Sequence, residues 1–135
     1  MYRIFSDGGS RGNPGPSAYA IVVTEDGKTV HEHAEFLGVH TNNYAEYRGL
    51  IAGLTWAVQH GAQKAEFIMD SQLVIRQMNG EYRVKSEDMK ELFQDAKTLA
   101  SQIPDVKFTN VRRSELLIPR ADALLNEEMD LQTGN

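Results

Sequence analysis

The side chains in this sequence best suited to chemistry are four carboxylates, Asp7, Glu46, Asp70 and Asp122. Asp7 follows the apolar run Ile4-Phe5-Ser6 and precedes Gly8-Gly9, so its carboxylate is expected at a sheet edge facing a loop. Asp70 repeats the arrangement, after Phe67-Ile68-Met69 and before Ser71. Glu46 shares a helical face with Leu50, Gly53 and Ala57, a small-residue stripe suited to packing on a sheet. A carboxylate there is costly unless it is paired or binds a metal. Asp122 borders a stripe of Ala121, Leu125 and Met129. Each has an ordinary alternative: a turn aspartate for Asp7, a helix cap for Asp70, a boundary glutamate for Glu46, a first-turn acid for Asp122. Crowded together, the four could not all ionise, since like charges raise each other's pKa. Hard divalent ions with oxygen ligands resolve the conflict, Mg²⁺ or Mn²⁺ best, and a pair of them serves in-line phosphoryl chemistry.

These acids need elements to position them. Residues 2–6 read as a short strand that ends at Asp7, and residues 8–16 (Gly-Gly-Ser-Arg-Gly-Asn-Pro-Gly-Pro) as a tight multi-turn loop. Residues 17–24 and 29–37 read as two further strands joined by an Asp26-Gly27 hairpin turn, making three antiparallel strands. Thr41-Asn42 offers an N-cap to a helix over 44–59. Residues 65–69 form a short strand, parallel to the first after a right-handed crossover. A short helix over 71–78 stops at Asn79-Gly80, and a longer one runs from Ser86-Glu87 to about Ser101. Residues 106–111 are a fifth strand, and Pro119 opens a final helix. The order βββαβααβα describes one α/β domain over 1–135, a mixed five-stranded sheet with helices on both faces. Ligands of such sheets gather where parallel strands end and helices begin. Asp7 and Asp70 end strands expected to be parallel, while Glu46 and Asp122 lie on helices packed over the sheet.

Composition sets the outer bounds. Hydrophobic residues at 41% and charged residues at 24% are the balance of a folded globule. No apolar run approaches the roughly 20 residues that cross a bilayer, so no membrane partner is expected. The chain has no cysteine and no signal-peptide segment after Met1, which makes a reducing cytoplasm the expected location. A net charge of −5 argues against nucleic acid when taken alone. Two divalent ions at the acids would cancel most of it, and local basic groups remain: Arg11, then Arg76, Arg83 and Lys85, then Arg112, Arg113 and Arg120.

Four segments carry a resemblance that covers essentially the whole chain. They are Ser6-Asp7-Gly8-Gly9-Ser10-Arg11-Gly12-Asn13-Pro14-Gly15-Pro16, Thr41-Asn42-Asn43-Tyr44-Ala45-Glu46, Met69-Asp70-Ser71-Gln72 and Arg120-Ala121-Asp122-Ala123-Leu124. In this order they resemble the type 1 ribonucleases H. The resemblance implies an endonuclease that cuts the RNA strand of RNA–DNA hybrids with two Mg²⁺ ions, leaving a 5′ phosphate and a 3′ hydroxyl, with Mn²⁺ as a substitute. It implies that Asp7, Glu46, Asp70 and Asp122 are both catalytic residues and metal ligands. Substrate contacts would come from Gly8, Gly9, Ser10, Arg11, Asn13, Thr41, Asn42, Asn43 and Gln72. Glycines let a groove approach the backbone, and amides both donate to and accept from a 2′-hydroxyl. By the same resemblance Asn13 and Thr41 hold a DNA-strand phosphate, and Thr41 and Asn42 keep their turn and cap roles.

The departures are specific. Some relatives carry a histidine in the loop before the last helix; residues 112–120 contain none, and Arg113 is the candidate to stand in. His31, His33, His40 and His60 read as solvated or satisfied side chains, and Ile118 stands where many relatives are polar. Residues 80–91 lack a lysine-rich, tryptophan-bearing protrusion, so modest hybrid affinity is expected; Trp56 reads as a core residue. Other readings keep the fold but cut duplex RNA or a hybrid end, bind hybrid without cutting, or make the chain a piece of a larger polymerase. Met1 close to the first strand favours a free-standing protein, and a monomer with no obligatory protein partner is expected.

Overall fold

The computed structural model describes residues 1–134. The chain runs β1 (Tyr2–Ser10), β2 (Gly15–Glu25), β3 (Lys28–His40), α1 (Asn42–Gln59), β4 (Lys64–Met69), α2 (Gln72–Met78), α3 (Glu87–Ala100), β5 (Asp105–Asn110) and α4 (Ile118–Thr133). One sheet holds all five strands in the order β3-β2-β1-β4-β5. The first three are antiparallel, and β4 and β5 continue parallel to β1. This is the mixed sheet and element order expected from the periodicities.

Alternation along the strands sends successive side chains to opposite faces. Ile4, Ile21 and Phe67 pack with Leu50 and Leu54 of α1 on one side. Phe5, Val22 and Ile68 pack with Ile118, Ala121, Leu125 and Met129 of α4 on the other. Ile118 is fully buried, so the apolar residue at the start of α4 anchors that helix. Truncating a core residue such as Leu50 to alanine would cost about 2–5 kcal/mol. Trp56 is half-buried at the margin of the first core, its ring edge-on to Tyr2 at 5.0 Å. Among the described residues no helix is long and apolar enough to cross a membrane.

The two largest boundary differences from expectation each have a tertiary reason. The first strand does not stop at residue 6: Gly8, Gly9 and Ser10 pair with Tyr19, Ala18 and Ser17, which shrinks the expected 8–16 loop to residues 11–14. Glycine is a poor strand residue by itself, but here it serves close packing. A Cβ on Gly8 would lie 2.4 Å from the Ala45 carbonyl carbon, because the first turn of α1 rests on this part of β1. The third strand reaches His40 rather than residue 37, through a bulge that leaves Leu37 between the pairs Phe36–Ala18 and Gly38–Ser17.

Candidate active site

The parallel ladder between β1 and β4 ends at the pair Phe5–Ile68. Asp7 and Asp70 each lie two residues further on, where the strands part. Asp7 is not a turn residue: it pairs with Ala20 inside β1 and is 3% exposed. Asp70 is not the cap of α2: Ser71 Oγ accepts the Val74 N–H at 3.3 Å, which leaves the Asp70 carboxylate to the cleft. Glu46 arrives from the α1 face. Thr41 Oγ1 caps that helix by accepting the Tyr44 N–H at 3.2 Å, and Gly8 lets the first turn close over the sheet end. Asp122 arrives from the opposite face as the fifth residue of α4, beyond the first turn where an acid would gain from the helix dipole. Its Oδ1 accepts from Asn126 Nδ2 at 3.3 Å.

Carboxylate oxygens of Asp7, Glu46 and Asp70 lie within 4.8 Å of one another. Asp122 borders the same cleft from the α4 side and acts electrostatically on Asp7. Burial, then the charges of Asp70 and Asp122, push the Asp7 carboxyl up to about 8. Burial, reinforced by Asp7 and Asp70, raises Glu46 well above the usual carboxylate range, against a hydrogen bond from the Gly8 backbone. Burial also raises Asp70, opposed by the guanidinium of Arg113, whose Nε lies 3.8 Å from Asp70 Oδ2. Arg113 acts in the same direction on Asp7 and Glu46. Glu46 Oε2 is buried without any hydrogen-bond partner. An orphaned acidic oxygen beside two further carboxylates fits a hard divalent cation, which replaces the missing donors and removes the like-charge repulsion.

A cleft of about 670 Å³ opens over these acids. From the expected substrate contacts it collects Gly8, Gly9, Ser10, Arg11, Asn42 and Asn43, beside Glu46, Asp70 and Asp122. Asn13, Thr41 and Gln72 do not line it. Asn13 Oδ1 accepts the Asn42 N–H at 3.1 Å and Asn42 Oδ1 accepts the Ser10 N–H at 2.7 Å, which ties the 11–14 loop to the start of α1. Thr41 borders a neighbouring groove with Pro14, His40 and Tyr44, and Gln72 is exposed at the start of α2. Arg11 lines the cleft but is held by α4, Nη2 lying 2.6 Å from Asp130 Oδ1 and 3.2 Å from Asn126 Oδ1. Arg120 is paired with Glu32 at 2.8 and 3.0 Å, so of the last basic group Arg113 is the one lining the cleft. Sequence reasoning missed Ser71 and Asn126 as cleft residues. The only signal for Asn126 was its i+4 spacing from Asp122, which puts both on one face.

Comparison with known proteins agrees with this geometry. Residues 5–124 match the family model described as reverse transcriptase-like. The ribonuclease HI of Halobacterium salinarum is 40% identical over 127 residues, covering 93% of this chain and 63% of that protein. A bifunctional protein of Mycobacterium tuberculosis is 49% identical over 129 residues, covering 94% of this chain and 35% of its own length. The chain thus spans about a third of the mycobacterial relatives it matches. The N-terminal ribonuclease H domain of that protein, solved fused to maltose-binding protein, superposes with a TM-score of 0.92 at 43% identity, covering 99% of this chain and 98% of that one. A ribonuclease H1 solved in complex with an RNA/DNA hybrid superposes at 0.91 with 37% identity, covering 98% and 99%. The chain belongs to the reverse transcriptase-like family and, within it, to the type 1 ribonucleases H.

Proposed function

We propose that this chain is a metal-dependent endoribonuclease that hydrolyses the RNA strand of RNA–DNA hybrids, leaving 5′-phosphate and 3′-hydroxyl ends. The observation that carries the proposal is the buried, unpartnered Oε2 of Glu46 within a carboxylate cluster at the parallel-strand ends. Asp7, Glu46, Asp70 and Asp122 would hold two divalent cations, Mg²⁺ or Mn²⁺ in its place. Bound there, such ions supply charge neutralisation at the phosphate and activation of water for in-line attack.

The protein's own part is positioning. Asp7 and Asp70 are set by adjacent strands and Glu46 by a capped helix resting on Gly8, so none depends on a flexible loop. Gly9 leaves the cleft floor open, since a Cβ there would meet only Leu125 Cδ1, at 3.8 Å. A minor groove can therefore approach the backbone of residues 8–10. The amides of Asn42 and Asn43 border the same floor and suit a 2′-hydroxyl that both donates and accepts. Asn13 and Thr41, beside the cleft rather than in it, suit the DNA strand of the hybrid. The hybrid bound to the relative described above supports this substrate. The domain would act as a monomer, without an obligatory protein partner.

The test is cleavage of labelled RNA–DNA hybrid, duplex RNA and duplex DNA of one sequence, with and without Mg²⁺, by wild type and Asp70→Asn. Internal cleavage of the hybrid's RNA strand alone, dependent on Mg²⁺ and lost in the variant, is expected. Undiminished cleavage by Asp70→Asn would remove the carboxylate centre, and equal cleavage of duplex RNA would change the substrate.

A further inference from the structure

A second set of metal-ligating side chains lies on the edge strand, away from the carboxylates. His31, His33 and Glu35 are at alternate positions of β3, so their side chains share one face of the sheet. That face carries α1, and the three residues line a groove of about 670 Å³ with Arg48 and Trp56 of that helix. The two imidazoles are nearly parallel, 21° apart with centroids 6.4 Å apart. Aromatic neighbours brace both: Trp56 stacks on His31 at 5.9 Å, and Tyr19 stands edge-on to His33 at 6.2 Å. Glu35 Oε1 lies 3.8 Å from His33 Nε2, while Arg48 Nη2 takes the other oxygen, Oε2, at 3.9 Å.

We propose that His31, His33 and Glu35 form a site for a transition-metal dication of the Zn²⁺, Ni²⁺ or Cu²⁺ class. Two imidazoles at i and i+2 of a strand share one face and can be brought onto one ion by side-chain rotation, which moves His31 on the Trp56 face and His33 on the Tyr19 edge. Glu35 Oε1 is already turned toward His33 and supplies a third donor, and its carboxylate offsets the charge of Arg48. Imidazole nitrogen selects these ions over Mg²⁺, which prefers carboxylate, carbonyl and water oxygen. Two chemically different ions would therefore sort between two sites that lie along one helix, α1. Glu46 and Trp56 are ten residues apart on α1, about 15 Å along its axis. His60 also lines the groove, but its ring stacks on Trp56 at 3.8 Å with Nδ1 2.8 Å from the Trp56 carbonyl oxygen, and it is not one of the ligands.

Trp56 is the single tryptophan and touches His31, so it reports on the site directly. The full chain is titrated with Ni²⁺ in excess Mg²⁺, followed by tryptophan fluorescence and by calorimetry. Saturable one-to-one binding with quenching is expected. His33→Ala should weaken it by roughly tenfold or more, while Asp70→Asn and His60→Ala leave it unchanged. Thermal melts of the metal-free variants, matching wild type at the exposed position 33, show that the fold is kept. No saturable binding, equal affinity in His33→Ala, or loss of binding in Asp70→Asn or His60→Ala overturns the proposal.

Discussion

Asp7 and Asp70 occupy equivalent positions relative to the β1–β4 ladder, each two residues past its last pair, Phe5 with Ile68. Alternation then sends Asp7 to the face of Phe5, the face covered by α4, where Asp122 meets it. Glu46 reaches the same point from the other face because Gly8 puts no side chain in its way. The cluster thus sits where the sheet opens and both helix layers contribute an acid.

If that junction carries the chemistry, Asp70→Asn should lower Mg²⁺-dependent cleavage by about two to three orders of magnitude, the scale of losing one electrostatic transition-state group. The asparagine is isosteric, so the circular dichroism spectrum should match wild type. The variant should also melt a few degrees higher without metal, because one charge leaves a repelling cluster.

The same repulsion fixes a pH dependence. Asp7 is pushed up to about 8 and Glu46 is also raised, both by burial first and neighbouring acids second. In the unfolded chain these groups titrate near about 4. Between those values the folded state holds more protons, so their contribution falls as pH rises from about 4 to about 8 and is flat above. Measured with a chelator present, the wild-type melting temperature should drop against that of Asp7→Asn across this window. Added Mg²⁺ should recover the loss at its upper end. Parallel curves for the two proteins would contradict a buried, repelling Asp7.

Gly8 and Gly9 offer a matched pair of substitutions. Alanine at 8 forces a contact 2.4 Å from the Ala45 backbone, and overpacking of this kind costs about 1–3 kcal/mol. Since α1 must move, Gly8→Ala should lose both melting temperature and cleavage. Alanine at 9 meets only Leu125 Cδ1, at 3.8 Å, so Gly9→Ala should melt near wild type and lose hybrid affinity instead. A binding assay beside a thermal melt separates the two effects.

Arg113 is a solvent-exposed cation beside Asp70, and its charge draws down Asp7, Glu46 and Asp70 alike. It competes electrostatically with any ion those acids bind. Arg113→Ala should therefore tighten Mg²⁺ binding, by only about a few-fold because solvent screens the side chain. Calorimetry at low salt should show the gain, and Arg113→Lys should bind as wild type does. Weaker Mg²⁺ binding in Arg113→Ala would mean that the arginine organises the site rather than opposing the ion.

Hybrid binding should be modest and strongly salt-dependent. Several cations are already engaged: Arg11 with Asp130, Arg120 with Glu32, and Arg76 with the Tyr82 ring at 5.2 Å. Arg83, Lys85 and Arg112 remain for phosphate contacts, and each such contact steepens the fall in affinity as salt rises. Measured without divalent metal, so that the hybrid stays intact, the dissociation constant should rise by about tenfold or more between low and moderate salt. Flat binding over that range would point to recognition without phosphates.

What was legible in the sequence was local. Period-2 and period-3.6 apolar patterns named every element in order, because each pattern is set by the geometry of one strand or helix. The cap Thr41 was readable for the same reason. The four acids stood out because a carboxylate such as Glu46 on a packing face conflicts with its surroundings, and motif order tied the four together. What only tertiary contact decided was where a local preference is overruled. Gly8 and Gly9 look like loop and are strand, because α1 lies against them. Asp70 resembles a cap and is not one, because Ser71 takes that bond. Arg11 belongs partly to α4, and Asn126 enters the cleft, through contacts more than a hundred residues apart in the chain. His31 and His33 looked solvated one at a time; their shared groove with Trp56 exists only once β3 and α1 are packed side by side. Sequence thus determined which acids were available and on which elements. The strand register and the glycine-permitted approach of one helix decided that Asp7, Glu46, Asp70 and Asp122 meet, since distances between elements are set by packing and not by any local period.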